Sequence, residues 1–374
     1  MLRVFGAPSR YVQGPGALDT LGQELLRLAP DAVLLVDPLV EDMVGERLRT
    51  ACASSGLDAR FLTFGGECSA AEVDRLVAQL GGRQPSVVAA AGGGKCLDTG
   101  KGLAHRCGAK VASVPTVAST DAPTSHNYVF YDEHHRLASV EKLPGNPVLV
   151  VVDTQVIARA PRYLFVAGIG DAMAKLFEVD RCIAANGPNI FGARACETAR
   201  VLGRGCYETV LRDGEAALEA VARGEPDEAL ERVVEATVLM SGLSFESGGL
   251  SIAHSMTRGL SAVAALTHAL HGRQVAYALL VQLELEGQPQ TVSGLKDFYR
   301  RVGLPCTLQD LAEPQTLGYR PTAEEIGVIA RLSLAAPHAS HFPYRVTEAQ
   351  MAAVIVGLEG ARDEDAAAAL GAVV

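Results

Sequence analysis

Residues 91–102, AGGGKCLDTGKG, place five glycines, two lysines and one aspartate in twelve positions directly after the apolar run SVVAA. Gly92, Gly93 and Gly94 permit a sharp turn and let backbone N–H groups approach a bound anion, while the helix that follows directs its positive end at it. The chemistry of such a loop is phosphate binding. Neither the Walker spacing nor G-x-G-x-x-G is present, so the two common nucleotide fingerprints do not apply. Asp37 ends the earlier apolar run DAVLLVD. At the C-terminal end of a strand in an open α/β sheet, an acid takes both hydroxyls of a ribose and repels a 2′-phosphate. The same residue fits the N-cap of a helix starting near Leu39, and both readings stand.

The elements that must position these residues show two periodicities. Short apolar runs at 31–37, 58–65, 86–92 and 110–116 suit buried strands, and amphipathic stretches at 17–28, 39–54, 70–82 and 96–107 suit helices between them. Such alternation implies a parallel sheet covered on both faces. Residues 128–147 contain the turn-like DEHH between two alternating runs and predict a hairpin leading into the strand VLVVVD, 148–153. From about residue 160 the pattern turns to Ala- and Leu-rich helical stretches at 171–185, 192–212, 227–243 and 272–286. The expected organisation is an α/β domain over 1–160 and an all-helical domain over 161–374, with the boundary near Pro161 and an Ala-rich tail.

A length of 374 residues exceeds one ordinary core and agrees with two domains. No apolar run approaches the roughly 20 residues that span a bilayer. The N-terminus has no basic segment followed by an apolar stretch and cleavage site, so a cytoplasmic protein without a membrane partner is expected. Eight cysteines without a C-x-x-C pair read as reduced, mostly buried thiols. A net charge of −10 with interspersed signs argues against a nucleic-acid partner.

Taken together, GGGKCLDTGK (92–101), PTVASTDAPTS (115–125), AGIGDAMAKLFE (167–178), GLSFESGGLSIAHS (242–255) and HALHGRQVA (268–276) resemble the glycerol dehydrogenase-like members of the metal-containing, iron-type alcohol dehydrogenase family. The resemblance covers nearly the whole chain. It implies an N-terminal nucleotide-binding α/β domain with a parallel sheet and an all-α metal-binding domain, the fold shared with dehydroquinate synthases. It further implies NAD as cofactor, with Gly93, Gly94, Lys95 and Asp98 at the pyrophosphate and Asp37 at the adenosine ribose. Thr116 and Ser119 continue that site, Ser125, Asn127 and Tyr131 fall at the nicotinamide half, and Asp121 falls where a substrate hydroxyl is held. The implied metal ligands are Asp171, His254 and His271, which leave a position open and suit zinc or iron. From the residues alone, Asp171 also fits a helix cap, His254 a hydrogen-bonded core histidine and His271 a helix end, and His268 is a neighbouring alternative ligand. The implied activity is hydride transfer between NAD(H) and a small alcohol or carbonyl in a homo-oligomer.

The pocket positions depart from the family pattern. Thr124, Ser125, His126, Asn127 and Tyr128 stand where Cys-Ser-Ala-Leu-Ser is usual, Thr257–Arg258–Gly259 stands where His-Asn-Gly is usual, and Gly272–Arg273–Gln274 replaces Gly-Glu-Lys. Asn127 and His126 put polar, bulkier groups near the nicotinamide face, and together with Arg258 and Arg273 they suggest a substrate that is acidic, or larger and more polar than glycerol. Arg258 and Arg273 either add positive charge near the metal or face solvent and pair with acids. His338 and His341 are assigned no role. Two other functions fit the same pair of cofactors: a carbocycle-forming lyase of the dehydroquinate synthase type, and a catalytically silent scaffold.

Overall fold

Residues buried on both faces of a sheet leave no polar alternation, and the first-half runs become strands for that reason. The computed structural model describes residues 2–132, 137–312 and 318–360. Its strands are β1 (Arg10–Gly14), β2 (Asp31–Val36), β3 (Asp58–Thr63), β4 (Val87–Gly92), β5 (Lys110–Pro115), β6 (Asn127–Tyr131), β7 (Leu137–Lys142) and β8 (Leu149–Asp153). Six of them form one sheet in the order β1-β8-β5-β4-β2-β3, every neighbouring pair parallel. The first helices are α1 (Leu21–Leu26), α2 (Pro38–Ser55), α3 (Ala70–Leu80), α4 (Gly94–Cys107) and α5 (Thr154–Ala158).

Successive residues of β2 and β4 point to opposite faces and join different cores. Leu34, Val36, Ala89 and Ala91 pack with Leu25, Val44 and Leu48 of α1 and α2, whereas Val33, Leu35, Val88 and Ala90 pack with Leu76, Leu97 and Leu103 of α3 and α4. The sheet is therefore doubly wound, as the alternation predicts. From β2 the chain moves outward to β3 and then returns to the other side of β2 as β4, so the strand order reverses between β2 and β4. Ligands of open α/β sheets bind at the carboxyl ends of the strands at such a reversal. Asp37 and Gly92–Gly94 follow those two strand ends.

β6 and β7 form the expected antiparallel hairpin in register Asn127↔Lys142. Residues 133–136, most of the expected DEHH turn, lie outside the described residues, as does the Ala-rich tail. β1 has no counterpart in the sequence reading, because RYVQG is half-exposed and carries no apolar run.

The second half is helical: α6 (Arg162–Met173), α7 (Lys175–Ala184), α8 (Glu197–Arg223), α9 (Glu228–Val234), α10 (Ser241–Gly248), α11 (Ile252–Leu260), α12 (His271–Leu285), α13 (Pro289–Val302), α14 (Leu308–Leu311), α15 (Ala323–Leu334) and α16 (Glu348–Leu358). The stretch expected at 171–185 is interrupted at Ala174, the one at 192–212 starts at Glu197, and the one at 227–243 passes through a π-helical segment, Glu235–Met240. Two compact units result. One comprises Gly6–Phe165 and Ala216–Gly242, and the other the described parts of Met1–Phe5, Val166–Glu215 and Leu243–Val374. Residues 216–242 thus group with the α/β unit, which a single boundary near residue 161 does not provide for. In the helical unit α12 is apolar on all sides, and its residues from Val275 to Leu283 are buried. A helix of that kind has to lie inside its unit.

Candidate active site

In the α/β unit, Asp37 is the N-cap of α2: its Oδ1 accepts from Leu39 N at 2.9 Å. Its backbone N–H donates to Ala91 O across the β2–β4 pair at 3.0 Å. A Cβ added at Gly92 would lie 3.1 Å from the Asp37 Cβ and 2.6 Å from that of Cys96, so the glycine and the acid are immediate neighbours. The cap reading of Asp37 is thus realised, by a side chain that stands directly after the end of β2. Gly93 is the N-cap of α4 and supplies no side chain to its first-turn amides. A Cβ at Gly93 or Gly94 would meet nothing nearer than 3.7 and 3.9 Å respectively. Internal packing does not demand glycine at either position.

The other residues singled out in this unit divide by what already holds them. Lys95 Nζ pairs with Glu67 at 2.7 Å and lies over the Tyr131 ring. Asp98 is buried, accepting from Val129 N at 3.0 Å and Lys101 Nζ at 3.1 Å, and burial raises its pKa. Lys101 also donates to Ala122 O and Asn127 O, both at 2.8 Å, and so fixes the 115–127 loop to α4. Asp98 and Lys101 therefore shape the loop from beneath. Thr116 is buried, and its backbone N–H donates to Gly92 O; Ser119 is half-buried. Ser125 Oγ accepts from Asn127 N at 3.0 Å, while Asn127 Oδ1 is buried without a hydrogen-bond partner among the described residues. Tyr131 is half-buried, with its phenol pushed up to about 12 by burial. Asp121 is buried, and its Oδ2 accepts from Ser241 Oγ at 2.8 Å.

In the helical unit, Asp171 near the end of α6, His254 in α11 and His271 at the start of α12 come together. Their ligand atoms all lie within 4.8 Å of one another. His254 Nε2 is 3.3 Å and His271 Nε2 4.0 Å from Asp171 Oδ1. Two glycines make this possible: a Cβ at Gly272 would sit 1.8 Å from Ala167 O, and one at Gly170 would sit 2.4 Å from Gly272 O. α6 and α12 touch backbone to backbone beside the triad.

Glu178 of α7, which motif reading does not single out, orders this cluster. Its Oε1 accepts from Ser251 N and His254 N at 2.9 Å each, capping α11, and its Oε2 lies 2.5 Å from His254 Nδ1. A carboxylate on Nδ1 fixes the tautomer that turns the Nε2 lone pair inward. Burial opposes charge on His254, but Glu178 outweighs it and raises the pKa. Burial likewise opposes charge on Asp171, and Lys175 with the two histidines outweighs it, holding the carboxyl far below its usual range. His271 is pushed down by desolvation. Because 45% of that side chain stays exposed, solvent screening limits the effect.

A buried, unsatisfied carboxylate oxygen is costly, and Asp171 Oδ2 is one among the described residues. Two imidazoles and a carboxylate with such an unfilled acceptor suit a divalent cation of the zinc or iron type. His268 is exposed and outside the donor group. His341 is buried, its Nδ1 3.0 Å from Leu250 O, and neither it nor His338 joins the donors.

Residues 8–154 match the family model for iron-containing alcohol dehydrogenases. The chain is 42% identical to a glycerol dehydrogenase of Pseudomonas putida over 83% of its own length and 86% of that protein. The chain belongs to the iron-containing alcohol dehydrogenase family. It is an alcohol oxidoreductase. A glycolaldehyde reductase of Halobacterium salinarum is 38% identical, with 83% and 86% of the two chains covered. The crystal structure of glycerol dehydrogenase from Schizosaccharomyces pombe superposes with a TM-score of 0.90 at 34% identity, covering 96% of this chain and 91% of that one. Within this family frame, the two arginines of the altered pocket segments differ from each other. Arg258 is exposed, while Arg273 donates to Gly303 O and Asp310 O at 2.8 Å each and so braces a loop. Among the described residues no helix is long and apolar enough to cross a membrane.

Proposed function

We propose that this alcohol oxidoreductase transfers hydride between NAD(H) and a secondary alcohol or polyol, glycerol or a larger and more polar relative. The α/β unit is assigned the nucleotide and the helical unit the metal. The observation that carries the reading is the juxtaposition of Asp37 with the Gly92–Gly94 turn at the strand-order reversal, the place where such sheets take dinucleotides. The uncapped amides of α4 bind the pyrophosphate, with Gly93, Gly94 and Lys95 around it. The Asp37 carboxylate takes the ribose hydroxyls and excludes a 2′-phosphate. The unpartnered Asn127 Oδ1 accepts from the nicotinamide carboxamide, beside Ser125 and Tyr131. Asp121, steadied by Ser241, orients a substrate hydroxyl.

Asp171, His254 and His271 hold one divalent ion, zinc in preference and iron as the alternative, which when bound supplies Lewis-acid stabilisation of charge on the substrate oxygen. Glu178 keeps His254 in the coordinating tautomer. With Arg273 committed to two carbonyls, a neutral polyol is favoured over an acidic substrate. A cytoplasmic homo-oligomer is part of the same reading.

The test is NADH formation, followed by its absorbance, across a panel of polyols, simple secondary alcohols and hydroxy acids, with zinc or iron restored after chelation. A polyol should lead the panel, with loss on chelation. Reduction of NAD by none of them would overturn the proposal.

A further inference from the structure

Lys175 lies inside the donor cluster. Its side chain is fully buried, with Nζ 2.7 Å from Asp171 Oδ1, 3.0 Å from His254 Nε2 and 5.4 Å from the centre of the Phe245 ring. We infer that Lys175 is an intramolecular competitor for the cation site: its ammonium occupies the donors that a divalent ion needs, so metal binds only when Nζ leaves His254. The inference rests on reading Asp171, His254 and His271 as that site.

Three independent arguments carry it. The first is stoichiometric. An imidazole nitrogen has one lone pair, and an ammonium only donates. A metal takes the neutral imidazole, in which Nδ1–H donates to Glu178 and the one available lone pair is on Nε2, the atom that Lys175 Nζ already faces at 3.0 Å. The free Oδ2 of Asp171 offers no way round this, because the conflict is at the histidine.

The second argument is spatial. Metal–ligand distances are about 2.0–2.2 Å. With Asp171 Oδ1 and His254 Nε2 3.3 Å apart, an ion at that distance from both lies within ~4 Å of Nζ on whichever side it sits. A dication and an ammonium would then be like charges at contact range in a buried pocket, where water screens them poorly.

The third argument is charge balance. Asp171 and Glu178 bring two negative charges to the hydrogen-bonded network that contains His254 and Lys175. A dication alone balances the two carboxylates, whereas a dication added beside a retained ammonium leaves a buried surplus of positive charge. Lys175 balances part of that charge in the metal's place and thereby also stabilises the metal-free fold. Its position explains why a lysine is tolerated at full burial: it is paired and hydrogen-bonded, and a buried ammonium survives only on those terms.

The decisive measurement is zinc affinity of the full chain, stripped with chelator and titrated against a fluorescent zinc chelator, for the unaltered protein, Lys175→Met and Lys175→Gln. Circular dichroism checks that the variants fold. Both variants should bind zinc at least tenfold more tightly than the unaltered protein. Equal affinities within twofold would overturn the inference. Should both variants fail to fold, a crystal structure of the unaltered protein soaked in zinc replaces them. Nζ should then stand beyond hydrogen-bonding distance of His254 Nε2, and its retention there beside a bound zinc would overturn the inference. If neither the unaltered protein nor a folded variant takes up zinc, the inference and the metal assignment fall together. The NAD assignment is scored separately, by fluorescence titration of the chelator-stripped protein with NAD, a binding readout that needs no metal.

Discussion

At the residue scale, Asp37 is asked to do two things, and two substitutions separate them. Asp37→Ala removes the carboxylate oxygen that accepts from Leu39 N and should lower stability by about 1 kcal/mol, the usual worth of an N-cap. It should also reduce discrimination against NADP by about ten- to hundredfold, because a like charge facing a phosphate costs a few kcal/mol. Asp37→Asn keeps the cap and loses the charge, so the discrimination should fall while the unfolding curve hardly moves. Steady-state kinetics with both nucleotides and urea unfolding check the pair, and an Asn variant that still rejects NADP fully would remove the ribose assignment. Asp121 is separable in a similar way. Asp121→Asn removes the charge from a hydrogen bond that Ser241 steadies, and kcat/KM for a polyol should drop by about ten- to hundredfold, matching the loss of a charged hydrogen bond. NAD affinity, measured by fluorescence titration, should stay within twofold.

At the scale of elements, the triad depends on how closely α6 and α12 approach. Gly272→Ala drives a methyl group into Ala167 O, a backbone atom that cannot rotate away, so the two helices must separate. Overpacking of a tight interior costs about 1–3 kcal/mol, and the upper end is expected here. The separation also pulls His271 from Asp171, so zinc affinity should fall together with stability. Gly294→Ala in α13 is the control: nothing lies within 4 Å of its Cβ, and the change should stabilise by about 0.5–1 kcal/mol. The sequence announces some of these relations and hides others for definite reasons. β2, β4, β5 and β8 are readable because strands buried on both faces become unbroken apolar runs, and Asp37 and Gly92–Gly94 are readable as strand-end positions. β1 is hidden because a half-exposed edge strand needs no such run. Residues 216–242 show a helical period, but a period reports a buried stripe and not which unit covers it. Lys175 and Glu178 are hidden for a related reason, since Lys and Glu on a helix ordinarily face water. The spacing of Asp171, Lys175 and Glu178, four and then three residues apart, is the one signal that puts them on a common side.

At the scale of the whole molecule, the eight free thiols report how tightly the interior of each unit is packed. Cys52, Cys68, Cys96, Cys182, Cys206 and Cys306 are buried, whereas Cys107 and Cys196 are half-exposed. The thiolate is the reactive form, and burial opposes it: Cys52 is pushed up to about 11, Cys68 and Cys182 to about 12, and Cys96 well above its ordinary value. At pH 8 a thiol with a pKa of 12 is ionised about one time in ten thousand, against roughly a quarter for an ordinary cysteine. The sign follows directly: raising the pH from 7 to 9 increases the thiolate fraction of Cys52, Cys68 and Cys182 about tenfold per unit, yet leaves it small throughout. Low ionisation and lack of access therefore act together, and a buried thiol reacts only when its surroundings open. Titration of the native protein with a chromogenic disulfide at pH 8 should thus give two fast equivalents, Cys196 and then Cys107, whose thiol burial also pushes up. The other six should appear at the rate of unfolding, and at once in denaturant. Mass spectrometry of the labelled peptides assigns the sites. Fast labelling of Cys68 or Cys96 would mean that the face of the sheet beneath α3 and α4 is open in solution, and the packing that sets the Gly92–Gly94 turn against Asp37 would fail with it.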